Sequence, residues 1–258
     1  MRRILFCLAI IIGLSVHSHS ARSQDFPWCV AHRGYSAEHL ENSRAAIEAA
    51  VQAGADAIEI DIRHTLDGHA LVVHDARLKR TARSKAGKRC KLNTPIGSIK
   101  YNEIREHCAL INGEEIPRLD EVLNSFTGFQ KALLLEFKDM PSVESLELLQ
   151  QYQRSSLKIF AVSFEQKVLD LIAKQGLVFH EPMKLIWLTP IPVHLPERFD
   201  GLGPYLISDG LIEHLKDNQK IIDMWTVDRP KKMQALFTKG VHMITTNKIE
   251  SCLEAKNL

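Results

Sequence analysis

Short apolar runs rich in valine and isoleucine alternate with longer amphipathic segments from residue 26 to the end of the chain. This alternation is typical of buried parallel strands that are connected by covering helices. The eight runs that fit a strand are PWCVAH, ADAIEIDI, ALLLEF, LKIFAVSF, KLIWL, YLIS, IIDMWTV and VHMITT. Eight such strands predict an α/β fold, a (β/α)8 barrel, because an open sheet usually has fewer strands.

The segments between these runs are predicted helices, and several of them end at a glycine, which is a helix-stop signal. The predicted helices are 43–54, 119–126, 142–153, 165–176, 211–219, 229–240 and the tail from residue 250. The unit after the fifth strand contains Pro190, Pro192 and Pro196. Because proline interrupts helices, this unit has the least helical pattern of the eight.

One segment interrupts the alternation after the second strand. From about residue 76 to residue 117 the chain contains many Lys, Arg, Gly and Pro residues and shows little periodicity. Long irregular insertions are usually functional, and this one should emerge at the carboxyl end of the barrel, where such folds place their sites. Its basic stretch, 77–91, is interpreted as a solvated loop.

The first 23 residues have the order of a secretory signal peptide. Arg2 and Arg3 precede the apolar run ILFCLAIIIGLSV, and small residues follow it. The run is short for a membrane span, and no second run of about twenty apolar residues occurs later. We therefore predict a signal peptide over 1–23 and a secreted or periplasmic domain over 24–258, without a stable membrane anchor.

Composition and charge narrow the possible partners. The chain is 45% hydrophobic and 25% charged, as in an ordinary globular protein. Cleavage would remove Arg2, Arg3 and Arg22 and no acid, which lowers the formal net charge of +2 by three, to −1. A chain so close to neutral gives no electrostatic reason to expect nucleic acid as a partner.

Four cysteines remain in the predicted mature chain, and thiols in an oxidising compartment tend to pair. Cys90 and Cys108 both lie in the insertion and are the predicted disulfide, which would close a short loop. Cys29 and Cys252 lie near the two ends of the mature chain. They would meet only if the fold closes on itself.

Two strands carry charged residues at a spacing of two, which places both side chains on one face. Glu59 and Asp61 stand in IEIDIR, and Glu136 and Lys138 stand in LLLEFKD. Carboxylates gathered inside a barrel need a cation to stay ionised, and hard oxygen ligands suit Mg²⁺, Ca²⁺ or Mn²⁺. The alternatives are solvated acids at the barrel rim and a plain ion pair within the strand.

Two histidines end apolar runs: His32 ends the first predicted strand, in VAHRG, and His74 ends the short run ALVVHD. Each alone could be an ordinary polar residue at a strand end, but imidazole at the same rim as the carboxylates suits proton transfer. Arg33 offers a planar fork that matches phosphate oxygens. The motifs of serine hydrolases, P-loop proteins and zinc proteases are absent, so this set favours phosphoryl chemistry.

The segments AHRGYSAEHLENS, GADAIEIDIRHTLDGHALVVHD, IPRLDEVL, LLLEFK, VSF, WTVD and ITT resemble, in order, the signatures of glycerophosphodiester phosphodiesterases. The resemblance covers essentially the whole predicted mature chain. It implies a TIM barrel with a small insertion after the second strand and a divalent cation, Ca²⁺ or Mg²⁺. It also implies hydrolysis of glycerophosphodiesters, small-molecule substrates, to sn-glycerol 3-phosphate and an alcohol.

The resemblance also implies roles for single residues. The family's metal ligands fall on Glu59, Asp61 and Glu136, and its acid/base histidines fall on His32 and His74. Its phosphate contacts fall on Arg33 and Lys138, an aromatic residue of the pocket on Trp225, and a supporting acid on Glu41. The chain departs from the family at Leu40, where proline is usual, at Asp228, where asparagine is usual, and at Asn247, where aspartate is usual.

Two rival interpretations remain. One is a phospholipase-type phosphodiesterase of the sphingomyelinase D kind, which an exposed apolar loop for membrane docking would favour. The insertion is basic and polar instead, so the sequence favours a water-soluble diester. The other is a secreted protein that binds metal or phosphodiester without turnover, and retention of both histidines argues against it.

Overall fold

A computed structural model describes residues 26–126, 131–152, 157–175, 183–191 and 193–258. The predicted signal peptide, 1–23, lies outside the described residues. Among the helices of the described ranges, none combines the length and the apolar character that crossing a membrane requires.

Eight parallel strands close into a barrel, because the first strand pairs with the second on one side and with the last on the other. The strands of the described ranges are β1 (Trp28–His32), β2 (Ala57–His64), β3 (Ala70–Val72), β4 (Ala82–Ser84), β5 (Cys108–Leu110), β6 (Ala132–Phe137), β7 (Lys158–Ser163), β8 (Lys184–Thr189), β9 (Gly201–Pro204), β10 (Ile221–Met224) and β11 (Met243–Thr246). The barrel order is β1-β2-β6-β7-β8-β9-β10-β11, and β3 pairs antiparallel with β2 outside the ring. The predicted (β/α)8 fold is confirmed.

Helices connect most of the barrel strands. They are α1 (Arg44–Gln52), α2 (Tyr101–His107), α3 (Leu119–Ser125), α4 (Val143–Tyr152), α5 (Gln166–Lys174), α6 (Asp209–Asp217), α7 (Pro230–Thr238) and α8 (Ile249–Lys256). The helix α2 lies in the insertion. Each of the others connects one barrel strand to the next or follows the last barrel strand. The described residues between β8 and β9 form no helix, as the prolines of this unit suggest.

The alternation along β2 separates the core from the site. Ile58, Ile60 and Ile62 pack outward against the helices in the main apolar core. Ala57 belongs instead to the cluster that fills the barrel interior. Because successive side chains of a strand point to opposite faces, Glu59 and Asp61 share the interior face with Ala57.

The sixth barrel strand is not where the sequence predicts it. The run YLIS, 205–208, was expected to be this strand, but β9 is Gly201–Pro204, and Tyr205 and Leu206 are exposed. Neighbouring strands leave no room for side chains here. A Cβ on Gly203 would lie 2.4 Å from Cδ2 of Leu188. Two of the four residues of β9 are therefore glycine, and the strand lacks the apolar signal of the other seven.

The insertion forms a compact unit rather than an irregular loop. An antiparallel ribbon of β4 and β5, the helix α2 and two 3-10 turns surround a small apolar core of their own. Elements of three to seven residues are too short to leave a clear period in the sequence. The predicted disulfide Cys90–Cys108 is present, and Cys29–Cys252 joins β1 to α8, because barrel closure brings the two ends together.

Candidate active site

A pocket opens at the carboxyl ends of the barrel strands and contains most of the predicted site residues. Seven of them line it, and these are His32, Arg33, Glu59, His74, Glu136, Lys138 and Trp225. Asp61 is fully buried beside this lining, and Glu41 lies behind Arg33 at 3.0 Å from its guanidinium. The barrel therefore gathers residues that are more than 100 positions apart in the chain.

Glu59, Asp61 and Glu136 form a buried carboxylate cluster. One oxygen of each lies within 4.8 Å of the others, and their residues are 4%, 0% and 6% exposed. The register of the strands causes this arrangement, since Asp61 on β2 stands directly beside Glu136 on β6. Asn42 fixes Asp61 with a hydrogen bond of 2.7 Å from its amide to Oδ2.

The carboxylate cluster fits a hard divalent cation. No hydrogen-bond donor of the described residues reaches Oε1 of Glu59. Burial and the neighbouring carboxylates raise the pKa of Glu59 well above its usual range, and burial raises the pKa of Glu136 to about 6. Burial would also raise the pKa of Asp61, but Lys138 and Arg33 outweigh it and lower that pKa. An all-oxygen set with excess negative charge is the donor set that Ca²⁺ and Mg²⁺ prefer.

Two cations partly neutralise the cluster. The ammonium group of Lys138 contacts Glu136 and lies 2.9 Å from Oδ1 of Asp61. The backbone N–H of Arg33 donates to Oε2 of Glu59 at 2.9 Å. The Nε of Arg33 lies 3.2 Å from Oδ2 of Asp61, within ion-pair distance but without hydrogen-bond geometry. Both cations thus face the pocket and the acids at once.

The backbone turns sharply after β1 to place Arg33. Its φ is 56°, and Gly34 follows with a φ of 76°, a region that favours glycine. A Cβ on Gly34 would lie 2.5 Å from the carbonyl carbon of Ala46. The HRG sequence therefore places the guanidinium over the barrel mouth only with glycine at position 34.

His32 carries a half-buried, neutral imidazole with one fixed hydrogen bond. Its Nδ1 lies 2.7 Å from Oδ1 of Asn247, and Nδ2 of Asn247 donates to Asp228 at 2.8 Å. Because the asparagine oxygen accepts, Nδ1 of His32 carries the proton and Nε2 has the free lone pair. Burial and then the charge of Arg33 lower the pKa of His32 to about 4.

His74 belongs to a chain of charged residues that crosses the mouth of the pocket. Its Nδ1 donates to Asp75 at 2.7 Å, and Arg80 donates to the other oxygen of Asp75 at 2.7 Å. Arg80 also binds both oxygens of Glu41, at 2.6 and 2.7 Å, and Glu41 contacts Arg33. The hydrogen bond from Arg80 lowers the pKa of Asp75 to about 2, so this carboxylate stays charged beside the imidazole.

This chain corrects the interpretation of 77–91 as a solvated loop. Arg80 lies within that basic stretch, yet its side chain connects the two sides of the pocket. No sequence pattern distinguishes Arg80 from the other lysines and arginines of this stretch. Asp75, which directly follows His74 in the HD pair, is the residue that could have indicated a basic partner within this stretch.

Two further residues of the site were not assigned a role from the sequence. Asn247 was noted only as a departure from the family pattern, and it is the partner of His32. Asp223 lines the pocket from β10 and is buried, with a hydrogen bond from Thr245. Its position in the strand IIDMWTV, as a lone acid among apolar residues, is the signal that could have identified it.

One wall of the pocket is apolar and aromatic. Trp225 lies against Phe164, with ring centroids 5.1 Å apart, and against Tyr205, at 5.7 Å. Its indole N–H donates to the carbonyl of Gly203 at 2.6 Å. Leu188 continues this wall inside the pocket. The site therefore has a charged half on β1, β2 and β6 and, apart from Asp223, an apolar half on β7, β8 and the residues after β10.

Comparison with known proteins agrees with this geometry. A glycerophosphodiester phosphodiesterase from Caldanaerobacter subterraneus is 28% identical over 242 residues, which cover 87% of this chain and 95% of that protein. A lysophospholipase D from Rattus norvegicus is 28% identical over 190 residues, 69% of this chain and 57% of that protein. A phosphodiesterase from Oleispira antarctica, solved with the product sn-glycerol-3-phosphate, has a TM-score of 0.75 at 22% identity, covering 90% of this chain and 97% of that one.

The family model described as the glycerophosphoryl diester phosphodiesterase family matches residues 32–175. This match begins at His32 and includes the carboxylate cluster and His74. It spans more than half of the chain, and the chain therefore belongs to the glycerophosphoryl diester phosphodiesterase family.

Proposed function

We propose that this chain is a secreted, divalent-cation-dependent enzyme that hydrolyses glycerophosphodiesters to sn-glycerol 3-phosphate and an alcohol. The observation that carries the proposal is one pocket that combines three buried carboxylates, two cations and two histidines. The solved Oleispira relative, which holds sn-glycerol-3-phosphate, supports the choice of substrate.

The carboxylate cluster would hold the cation. Glu59, Asp61 and Glu136 supply the oxygens, and the unpartnered Oε1 of Glu59 is a free ligand atom. A bound Ca²⁺ or Mg²⁺ supplies positive charge that neutralises phosphate oxygens and stabilises the charge developing on them. The fold keeps the three carboxylates together although burial raises the free energy of their charged forms.

Arg33 and Lys138 orient the phosphodiester. Their charged groups face the pocket from β1 and from the residue after β6, and each is already fixed by the carboxylates. Fixed donors need no reorganisation as charge develops on the phosphate oxygens, which makes their stabilisation effective. The planar guanidinium of Arg33 can donate to two phosphate oxygens at once.

His32 acts as the base and His74 as the acid. His32 is neutral, and its Nε2 lone pair is free because Nδ1 binds Asn247. Burial lowers the pKa of His74 as well, but Asp75 stabilises its imidazolium, and a bound phosphate anion adds to that effect. His32 removes the proton of the nucleophile, whose oxygen forms a new bond to phosphorus. The P–O bond to the alcohol breaks, and His74 protonates the leaving oxygen.

The nucleophile is either water or the neighbouring hydroxyl of the glycerol moiety. The second route gives a cyclic glycerophosphate that water then opens. Rapid-quench sampling during turnover distinguishes the routes, since a transient cyclic phosphate appears only on the second one.

Export from the cytoplasm is supported by two features. The first 23 residues have the order of a signal peptide, and all four cysteines beyond them form disulfides, which persist in oxidising compartments. Expression of the full chain with N-terminal sequencing of the exported product tests this. We expect the mature N-terminus near residue 21 or 24.

The activity test uses the purified mature protein with glycerophosphocholine. We expect turnover with Ca²⁺ or Mg²⁺ added separately, and loss of turnover with EDTA that either ion restores. Retained activity in His32→Ala or His74→Ala would refute the acid/base roles. No turnover of any glycerophosphodiester with any divalent ion would refute the function, and tight binding without turnover would instead show a binding protein.

A further inference from the structure

One acid of the pocket has no role in the chemistry proposed above. Asp223 lines the pocket from β10, and the residue is 2% exposed. On the interior face of this strand it lies between Ile221, which belongs to the cluster that fills the barrel interior, and Trp225 of the aromatic wall. Residues two apart on a strand are separated by about 6–7 Å along its axis. Asp223 therefore stands at the floor of the pocket, where the closed core ends.

The surroundings of Asp223 do not explain why an acid stands at this position. Thr245 donates a hydrogen bond of 2.9 Å to Oδ1, and the described residues supply this carboxyl with no second hydrogen bond and no ion pair. The carboxylate cluster differs, because Lys138 and Arg33 partly neutralise it. A buried acid with one neutral donor raises the free energy of the folded state. Its Oδ2 is therefore left for a ligand in the pocket.

The proposed reaction brings the glycerol end of the substrate to this side of the pocket. His74 protonates the leaving oxygen, so the head-group alcohol lies towards His74, which follows β3 beside β2. The glycerol end stays bound through the reaction and is left with the rest of the pocket. β10 stands three strands away from β2 around the barrel, beyond β1 and β11, and Asp223 faces the pocket from there.

The apolar half of the pocket suits the carbon atoms of glycerol but not its hydroxyls. Of the described pocket residues on β7 to β11 and in the loops after them, Asp223 is the one with a carboxyl. A carboxyl oxygen is a strong acceptor for an alcohol O–H. The hydroxyl beside the phosphoester carbon stays near the reacting phosphorus, whereas the terminal hydroxyl is the one that reaches further towards the floor.

We propose that Asp223 binds the terminal hydroxyl of the glycerol end and selects substrates that carry it. This inference rests on the proposed function and adds a specificity-determining residue to the same site. Oδ2 accepts the hydrogen bond from the substrate hydroxyl, while Thr245 fixes Oδ1. A diester without that hydroxyl leaves a buried carboxyl without a partner, which lowers its binding in the transition state.

The test compares kcat/KM for glycerophosphocholine and for its analogue without the terminal hydroxyl, 2-hydroxypropyl phosphocholine of the same configuration. The analogue keeps the phosphodiester, the choline and the hydroxyl beside the phosphoester carbon, so both routes of the reaction stay open to it. We expect the wild type to prefer glycerophosphocholine by about tenfold to a hundredfold, the usual effect of leaving a buried polar group unpaired.

Asp223→Leu should reduce this preference to about threefold or less. It should lower kcat/KM for glycerophosphocholine and leave that of the analogue within about threefold of wild type. Leucine suits a floor that Leu134, Val162 and Leu188 already line, and an apolar replacement of a buried charge is often neutral or stabilising. Asp223→Asn keeps an oxygen acceptor and should retain part of the preference. Thermal unfolding of both variants checks that they are folded.

Asp217→Leu is the matched control, because Asp217 is an exposed acid at the last residue of α6. It precedes β10 and so lies at the amino end of the barrel strands, away from the pocket. This variant should keep the wild-type preference. Equal kcat/KM for the two substrates in the wild type, or an unchanged preference in Asp223→Leu, would overturn the inference, while turnover of glycerophosphocholine preserves the proposed function. No turnover of either substrate by the wild type would overturn both.

Discussion

The partner of His32 is an amide, that of Asn247, and the carboxylate of Asp228 lies one hydrogen bond further along the same chain of contacts. Asn247 contacts the imidazole, and Asp228 holds the asparagine through both its side chain and its backbone N–H. The family that the chain resembles usually has these two residue types in the opposite order. The exchange keeps the pair intact but moves the negative charge away from the histidine.

Asn247→Asp should raise the pKa of His32 from about 4, because a carboxylate beside Nδ1 stabilises the imidazolium. A base must be unprotonated, so the acidic limb of the kcat/KM profile should move to higher pH by about one unit or more. The double variant Asp228→Asn/Asn247→Asp keeps the net charge of the pair and should show the same shift. An acidic limb that does not move in either variant would contradict the role of His32 as the base.

Arg80→Gln should lower kcat more than it raises KM. Its guanidinium holds Asp75, which orients His74, and Glu41, which orients Arg33. Loss of a residue that positions both the proposed acid, His74, and the phosphate-binding Arg33 should lower kcat about tenfold to a hundredfold. Lys79→Gln is the matched control, since Lys79 is exposed in the same turn. Equal kinetics of the two variants would show that the charge chain is only structural.

At the scale of elements, β9 is the barrel strand whose predicted and observed positions differ most. Two of its four residues are glycine, and close neighbours explain both. A Cβ on Gly201 would lie 2.8 Å from the carbonyl oxygen of Ile221, and one on Gly203 would meet Leu188. A strand selected for close approach rather than for apolar burial cannot be found by hydrophobicity.

Gly203→Ala should destabilise the fold by about 1–3 kcal/mol, the usual cost of overpacking a buried position. Gly210→Ala provides the contrast, because nothing lies within 4 Å of a Cβ at Gly210 in α6. It should be neutral or slightly stabilising, since alanine is the better helix former. Urea unfolding of both variants measures this, and equal midpoints would contradict the packing argument.

Elements with a strong hydrophobic period could be predicted from the sequence. The positions of the site residues on those elements could then be predicted as well. The interior position of Glu59 and Asp61 depends only on the alternation of β2, and the parallel pairing of β2 with β6 brings Glu136 to the same place. Contacts between elements were not predictable in this way. Arg80 reaches Glu41 across 39 residues, and no local pattern specifies which of several basic side chains makes that contact.

At the scale of the whole molecule, the barrel interior concentrates acids that would be solvated in the unfolded chain. Besides the carboxylate cluster it holds Asp223, whose pKa burial raises to about 7 from an ordinary value of 3.8. The folded state then binds a proton that the unfolded chain releases between about pH 4 and pH 7. Stability should therefore decrease as the pH rises through this interval.

Asp223→Asn should remove this part of the pH dependence. The asparagine can still accept the hydrogen bond from Thr245 and needs no proton to stay neutral. At pH 8 the variant should be more stable than the wild type by up to about 4 kcal/mol, and below pH 4 the two should be alike. Thermal unfolding in EDTA at both pH values measures this. A wild type that is as stable as the variant at pH 8 would contradict it.

The bond between Cys29 and Cys252 joins the first barrel strand to the last helix, which makes the barrel a covalent ring over 224 of its residues. A protease that cuts such a ring once, for example in the exposed insertion, opens the chain but releases no fragment. The nicked protein should migrate as one species without reductant and as two with it. The same ring offers a natural junction for circular permutation, because its ends are already held together at 5.8 Å between Cα atoms.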